Sequence, residues 1–168
     1  MVTSSFANLY LNTIARLADK AALLRYIEQD LGQMEHYPEG GRPPVSFPCA
    51  LIDIEDTAFD EMGEQCQLGE GILQVRICQP TYSASNNLAP DQVRETALSY
   101  YETEQQVHEA LHGWAKDNVS KMVRVSAKTE KRNDEYRVRV VRYRFGMEDY
   151  STAPSKVKIT RPDPTIVA

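Results

Sequence analysis

The segment that most constrains the fold is YRVRVVRYRF, residues 136–145, which contains neither Gly nor Pro. Arginines alternate in it with apolar or aromatic residues, and this two-residue period is typical of a β-strand with two unlike faces. The apolar residues shift from even to odd positions at Val140 and Val141. Because a regular strand cannot change phase, we predict a β-bulge at these two residues. With that bulge, one face of an antiparallel sheet carries the four arginines Arg137, Arg139, Arg142 and Arg144.

The arginine face has two interpretations: the solvated side of a sheet, or a surface that binds another molecule. Binding to a specific nucleic acid is disfavoured, because the formal net charge is −5 and no aromatic residues are interleaved with the arginines on that face. With 26% charged and 42% hydrophobic residues, the chain has the composition of a soluble globular protein. No apolar run approaches the roughly 20 residues that cross a bilayer, and the first residues lack the features of a secretory signal.

The cysteines predict neither a disulfide framework nor a structural zinc site. Cys49, Cys66 and Cys78 are odd in number and lack CxxC spacing. We interpret each as a small, partly buried hydrophobic residue in a protein that is made in a reducing cytoplasm.

The remaining periodicities predict two helices and further strands. Apolar residues at three- and four-residue steps, Leu9 and Leu17 among them, predict a first helix at about Ser4–Lys20. A similar stripe, interrupted by Glu104, predicts a second helix at about Pro90–Ala115. Alternation predicts a strand in CALIDIEDTAF and an antiparallel neighbour in EGILQVRICQP. The residues expected to face the core are Ala50, Ile52, Ile54, Leu73, Val75 and Ile77. Another strand begins near Met122, with inward side chains expected at Val123, Val125 and Ala127. The segment LLRYIEQDLGQM is either an edge strand or a continuation of the first helix.

Together these elements predict an α+β fold. Residues 1–150 are expected to form a single domain, in which an antiparallel sheet of about four to five strands packs against two main helices. Residues 151–168 contain three prolines and are expected to form an extended C-terminal arm.

Charge is unevenly placed along the chain. The stretch 55–70 is acidic, lacks Lys and Arg, and is expected to form a hairpin loop, whereas residues 121–144 are rich in Lys and Arg. Surfaces of opposite charge suit contacts between copies of a protein or between unlike partners. The candidate contact residues are therefore the four arginines, the acidic residues Asp56, Asp60, Glu61 and Glu64, and Val157 and Ile159 of the arm.

The most specific chemical motif is HEALH, residues 108–112. On a helix, His108 and His112 share a face, so both imidazoles could bind one zinc ion, with Glu109 as the general base of a hydrolase. A catalytic zinc needs a third protein ligand, and no histidine follows at the spacing of the longer metalloprotease pattern. Our primary prediction therefore has no catalytic residue, metal or cofactor, and a zinc-dependent metallohydrolase is the alternative.

The order of the elements resembles that of the tail terminator, or tail completion, proteins of tailed phages and prophages. The resemblance lies between residues 5 and 149, in SFANLYLNTIARLADK, FPCALIDIEDTAF, GILQVRICQP, TALSYYETEQQVHEALHGW and KMVRVSAKTEKRNDEYRVRVVRYRFGMED. The acidic stretch 55–70 and the C-terminal arm have no counterpart in the family pattern.

This resemblance implies a small, non-enzymatic subunit that closes into a ring, commonly a hexamer, on the end of a tail tube. Its partners would be copies of itself, the tail tube protein and head–tail connector proteins, with no membrane involved. Its place would be the neck of the virion, after assembly in the host cytoplasm. A head completion protein is a further alternative, because it would share the same general physics.

Overall fold

The computed structural model describes residues 4–81 and 83–154. Helix α1 spans Ser5–Lys20, and the hydroxyl of Ser4 accepts a hydrogen bond from the backbone N–H of Ala7 at its N-terminus. The buried face of the helix carries Leu9, Thr13 and Leu17, which recur at four-residue steps. The first predicted helix is therefore confirmed, because its apolar stripe has a core to pack against.

A five-stranded sheet forms the centre of the molecule. Its strands are β1 (Tyr26–Gln29), β2 (Cys49–Gly63), β3 (Cys66–Pro80), β4 (Val123–Thr129) and β5 (Tyr136–Asp149), in the order β1-β2-β3-β5-β4. All neighbours are antiparallel except β1 and β2, which are parallel. The α+β class is confirmed, the ambiguous segment after α1 is a strand, and the sheet is mixed.

The second predicted helix is divided in two. Helix α2 spans Asp91–Leu98 and helix α3 spans Tyr100–Leu111, with a break at Ser99. Helix α2 buries no side chain among its residues, whereas α3 buries four, namely Thr103, Val107, Ala110 and Leu111. The prediction of one helix to Ala115 was wrong, because only α3 has an apolar face that the sheet and α1 cover.

The main core lies between the sheet and helices α1 and α3. The central strands contribute the residues that were predicted to point inward: Ala50, Ile52, Leu73, Val75 and Ile77. Strand β5 adds Val141, Tyr143 and Phe145 to the same cluster. Complete burial of such side chains stabilises a fold by about 1.5–3 kcal/mol each, so this layer dominates the stability of the chain.

The opposite face of the sheet carries a second, smaller core. Its buried residues are Met34, Cys49, Leu51, Cys78 and Val138, beneath the segment that links β1 to β2. Cys49 and Cys78 are directly opposite in the pairing of β2 with β3, and both are free thiols. The interpretation of these two cysteines as buried hydrophobic residues is confirmed, and Cys66 is half-buried.

An ion-pair cluster at Arg76 holds the linking segment against the sheet. The Arg76 guanidinium, on β3, contacts Asp30 at 2.9 Å and Glu130 at 3.1 Å and also donates to Glu35. Arg132 contacts Glu35 at 3.2 Å and Asp134 at 2.6 Å, which extends the cluster to the turn before β5. The sequence alone does not predict this cluster, because its members come from three separate segments.

The predicted β-bulge in β5 was wrong. Strand β5 pairs with β3 without interruption, from Tyr136 opposite Pro80 to Asp149 opposite Gln67. The register shift lies in β4 instead, between Arg124 and Ser126. Apolar residues occur at even and odd positions of β5 because each face of the strand is covered by a different core.

Strand β4 is exposed at six of its seven positions, although Met122 just before it is buried. The prediction of inward side chains on this strand was therefore wrong, with Val123 41% and Val125 48% exposed. Among the described residues, no helix is long and apolar enough to cross a membrane.

Candidate assembly surfaces

The acidic stretch forms strands rather than the predicted loop. Strands β2 and β3 continue to Gly63 and Cys66, and a two-residue turn joins them. Both turn residues have positive φ, 53° at Glu64 and 61° at Gln65, which is typical of a type I′ hairpin turn. The acidic side chains therefore stand on a paired hairpin with defined faces.

The hairpin displays carboxylates on both of its faces. Asp60 is opposite Leu68 and Glu61 is opposite Gln67, and neighbouring positions of a strand point to opposite sides. Within the described part of the chain, Asp56, Asp60 and Glu61 make no ion pair. These predicted contact residues are thus close together and available to a partner, and their role stays a prediction.

Two glycines of β3 allow the hairpin to pack against the body of the protein. A Cβ at Gly69 would lie 2.8 Å from the ring of Phe59, and one at Gly71 would lie 2.8 Å from the ring of Phe145. The space they leave is filled by these aromatic rings. Phe59 also contacts Phe6 of α1 edge to face, with 6.1 Å between ring centroids. The hairpin is therefore anchored on α1.

The four arginines do not share a face. Arg139 lies on the helix side, where its Nε donates to Glu104 at 2.9 Å, and the Arg137 guanidinium lies 3.7 Å from the centre of the Tyr100 ring. Arg142 points to the other side and contacts Glu55 at 3.1 Å. The prediction of a single arginine face was wrong, because it depended on a β-bulge that β5 does not have.

Arg144 is exposed on the same side of the sheet as Arg142. Those two arginines lie on the side of the sheet away from the helices, whereas Arg137 and Arg139 pack against α3. Because Arg144 is exposed and Arg142 is half-exposed, both side chains are suited to contacts with another protein. Val157 and Ile159, the remaining predicted contact residues, lie outside the described residues.

Two stretches of strand edge have no pairing partner among the described residues. Strand β4 pairs on one side only, with β5. Strand β1 pairs with β2 only from Cys49 to Ile52, so the outer edge of β2 is unpaired from Asp53 to Gly63. Unpaired edges present backbone N–H and C=O groups that can pair with another chain.

A basic cavity lies at the end of the sheet opposite the hairpin turn. It has a volume of about 980 Å³ and is lined by Arg25, just before β1, and by Arg42, in the segment that links β1 to β2. Both arginines are exposed, and within residues 4–81 and 83–154 neither makes an ion pair. The sequence alone does not predict this cavity, because its two arginines lie in segments without a motif.

The HEALH motif falls at the C-terminal end of α3. His112 is the residue that ends the helix, with φ −66° and ψ 126°, and the imidazole centroids of His108 and His112 are 4.8 Å apart. The Nδ1 atom of His112 accepts a hydrogen bond from the backbone N–H of Arg124, at 3.2 Å. Burial, together with the positive charge of Arg124 and the neighbouring His112 imidazole, lowers the pKa of His108.

A third zinc ligand is not supplied by the described residues, since they contain no group of three His, Cys, Asp or Glu side chains with metal-binding geometry. Glu109, the proposed base, accepts a hydrogen bond at 2.7 Å from Gln105 on the surface of α3. The arrangement gives two neighbouring imidazoles at a helix end, without the ligand set of a catalytic zinc.

No protein-family model matches the chain, and no curated protein matches it. Among solved structures, the chain is similar to a chain of a structure described as "Virion of native gene transfer agent (GTA) particle". The similarity covers 88% of this chain and 100% of that chain, with 14% sequence identity and a TM-score of 0.48. At this level of similarity, the likeness assigns neither a function nor a partner.

Proposed function

We propose that the chain is a structural virion assembly protein of the tail terminator type, which forms a ring on a tail tube and joins it to the head connector. The observation that carries the proposal is that two strand edges, on β4 and on β2 from Asp53 to Gly63, have no pairing partner among the described residues. Such edges invite uncontrolled pairing in a monomer, and ring assembly covers them.

The distribution of charge supports assembly between unlike surfaces. Among the described residues, Asp60 and Glu61 of the hairpin make no ion pair, and neither do Arg25 and Arg42 at the opposite end of the sheet. A contact between two different surfaces of identical chains is head-to-tail, and it gives a closed ring when the rotation between copies closes. The protein then acts through shape and closure, which agrees with the primary prediction that it is not an enzyme.

The proposal is tested by measuring the native mass and then the position of the protein on a tube. We expect light scattering to show oligomers well above the 19.0 kDa of one chain, and electron microscopy to show rings at the ends of purified phage tail tubes. Rings that bind head connectors but no tube ends would favour head completion instead. A chain that is monomeric at the highest soluble concentration and absent from both structures would refute the proposal.

A further inference from the structure

The basic cavity has the composition of a protein-docking site. Beside Arg25 and Arg42, the lining combines apolar side chains, among them Pro43, Pro44 and Phe47, with polar ones such as Ser46 and Gln79. Two cations without a partner in the described chain, set among apolar side chains, fit an occupant that is both acidic and apolar. The volume of about 980 Å³ is at the upper end of the roughly 300–1,000 Å³ range of small-molecule sites, so the occupant is larger than one side chain.

The end of the β2–β3 hairpin has the complementary composition. Asp60 and Glu61 place one carboxylate on each face of the hairpin, and neither has a cationic partner in the described residues. Met62 lies at a register shift beside the turn, and 51% of its surface is exposed. An exposed, flexible thioether beside two carboxylates suits a pocket with apolar walls and a charged rim.

We propose that the hairpin end of one copy, residues 60–63, occupies the basic cavity of the next copy. The carboxylates of Asp60 and Glu61 pair with the guanidiniums of Arg25 and Arg42, and Met62 packs among the prolines. Charge-assisted pairs between guanidinium and carboxylate give the contact its direction, because they form only when the hairpin enters with one carboxylate towards each arginine.

The two surfaces lie too far apart to meet within one chain. Strand β2 runs from Cys49, beside the cavity, to Gly63 at the hairpin turn. Its 15 residues span about 50 Å at roughly 3.3 Å per residue. The contact is therefore head-to-tail between copies. It rests on the proposed function, because it is a contact from which the proposed ring can be built.

Complementary charge reversal tests the contact. One variant carries Arg25→Glu and Arg42→Glu, and the other carries Asp60→Lys and Glu61→Lys; all four positions are exposed, so both variants keep the fold. We expect the self-association constant of each variant alone, measured by light scattering, to be at least tenfold lower than that of the wild type. A one-to-one mixture is expected to regain the wild-type mass, because every hairpin in it then finds a cavity of opposite charge on the other variant.

A matched control carries Lys116→Glu and Lys121→Glu, which reverse two exposed positive charges away from the cavity, and it is expected to keep the wild-type mass. Separate variants that associate like the wild type would overturn the docking contact and leave the proposed ring standing. A mixture that fails to regain the mass would also overturn it. A wild-type chain that never self-associates and never binds a tube would overturn the proposed function together with this contact.

Discussion

Replacement of Arg76 by methionine tests whether the buried ion cluster holds the segment between β1 and β2 against the sheet. The side chains of Arg76 and Asp30 are only 9% and 11% exposed, and their atoms are 2.9 Å apart. After the Arg76→Met change, Glu35 and Glu130 keep Arg132 as a partner, at 3.2 Å and 3.5 Å. Asp30 has no second cation in the described residues, so its buried charge keeps only the hydrogen bond that the Gly32 backbone N–H donates at 3.1 Å.

The size of the effect follows from the burial of Asp30. Removal of one partner from a buried pair costs about 3–5 kcal/mol in the free energy of unfolding, and the partial exposure of the cluster places Arg76→Met near 3 kcal/mol. With a urea slope of about 2 kcal/mol per molar, the midpoint of unfolding falls by roughly 1.5 M. Urea unfolding followed by circular dichroism measures this shift directly.

Two further variants separate the ion cluster from a general loss of packing. Arg142→Met removes a half-exposed pair with Glu55, and is expected to cost about 0–1 kcal/mol. Adding Asp30→Asn to Arg76→Met removes the unpartnered charge and is expected to recover part of the lost stability. If Arg76→Met costs no more than Arg142→Met, or if the double variant is less stable than the single, the reasoning is refuted.

Three other outcomes are expected. Hydrogen bonds from Arg76 lower the pKa of Glu35 below its ordinary 4.5, and those from Arg132 lower the pKa of Asp134. The two ionised carboxylates therefore contribute fully to stability at neutral pH, and this contribution is lost as pH falls through the lowered pKa values. Unfolding measured from pH 7 to pH 3 checks this loss. Gly71→Ala places a Cβ 2.6 Å from the Thr57 hydroxyl and is expected to cost about 1–3 kcal/mol in thermal unfolding. Alanine at both histidines of the HEALH motif is expected to leave zinc affinity unchanged in calorimetric titration, since no third ligand accompanies them in the described chain.

Each of these outcomes has a result that contradicts it. Stability that is flat between pH 7 and pH 3 would show that the carboxylates of the cluster do not titrate with folding. Gly146→Ala is the control for Gly71, because its nearest neighbour, the Ser120 hydroxyl oxygen, is 3.3 Å from the added Cβ. Equal losses at the two glycines would contradict the packing argument. Stoichiometric zinc that disappears in the double alanine variant would restore the hydrolase alternative.

Periodicity determined the elements whose apolar residues face a single core. The stripe of α1 and the alternation in β2 and β3 identified Leu9, Leu17, Ile52 and Val75 as buried, because these positions follow from the geometry of one helix or one strand. For the ambiguous segment after α1, the sequence left two outcomes, an edge strand or a continuation of the helix. The acidic residues near the hairpin turn were also recognised from sequence, although as members of a loop.

Tertiary structure alone decided the features that depend on two covered faces of the sheet. The sequence of β5 was interpreted with one buried face, so consecutive apolar residues required a bulge; in the fold, Val138 and Val141 enter different cores and the strand is regular. For the same reason the arginines divide between two faces, and Glu104, which interrupts the stripe of the predicted second helix, pairs with Arg139.

The sequence by itself determined what local repetition can encode, namely the first helix, the central strands and an acidic stretch. Tertiary structure decided which distant side chains meet, such as Arg76 with Asp30 and the two arginines of the basic cavity, Arg25 and Arg42. The physical reason is that backbone geometry fixes the period within an element, whereas the partner of a charged group depends on how separate elements cover the two faces and the ends of the sheet.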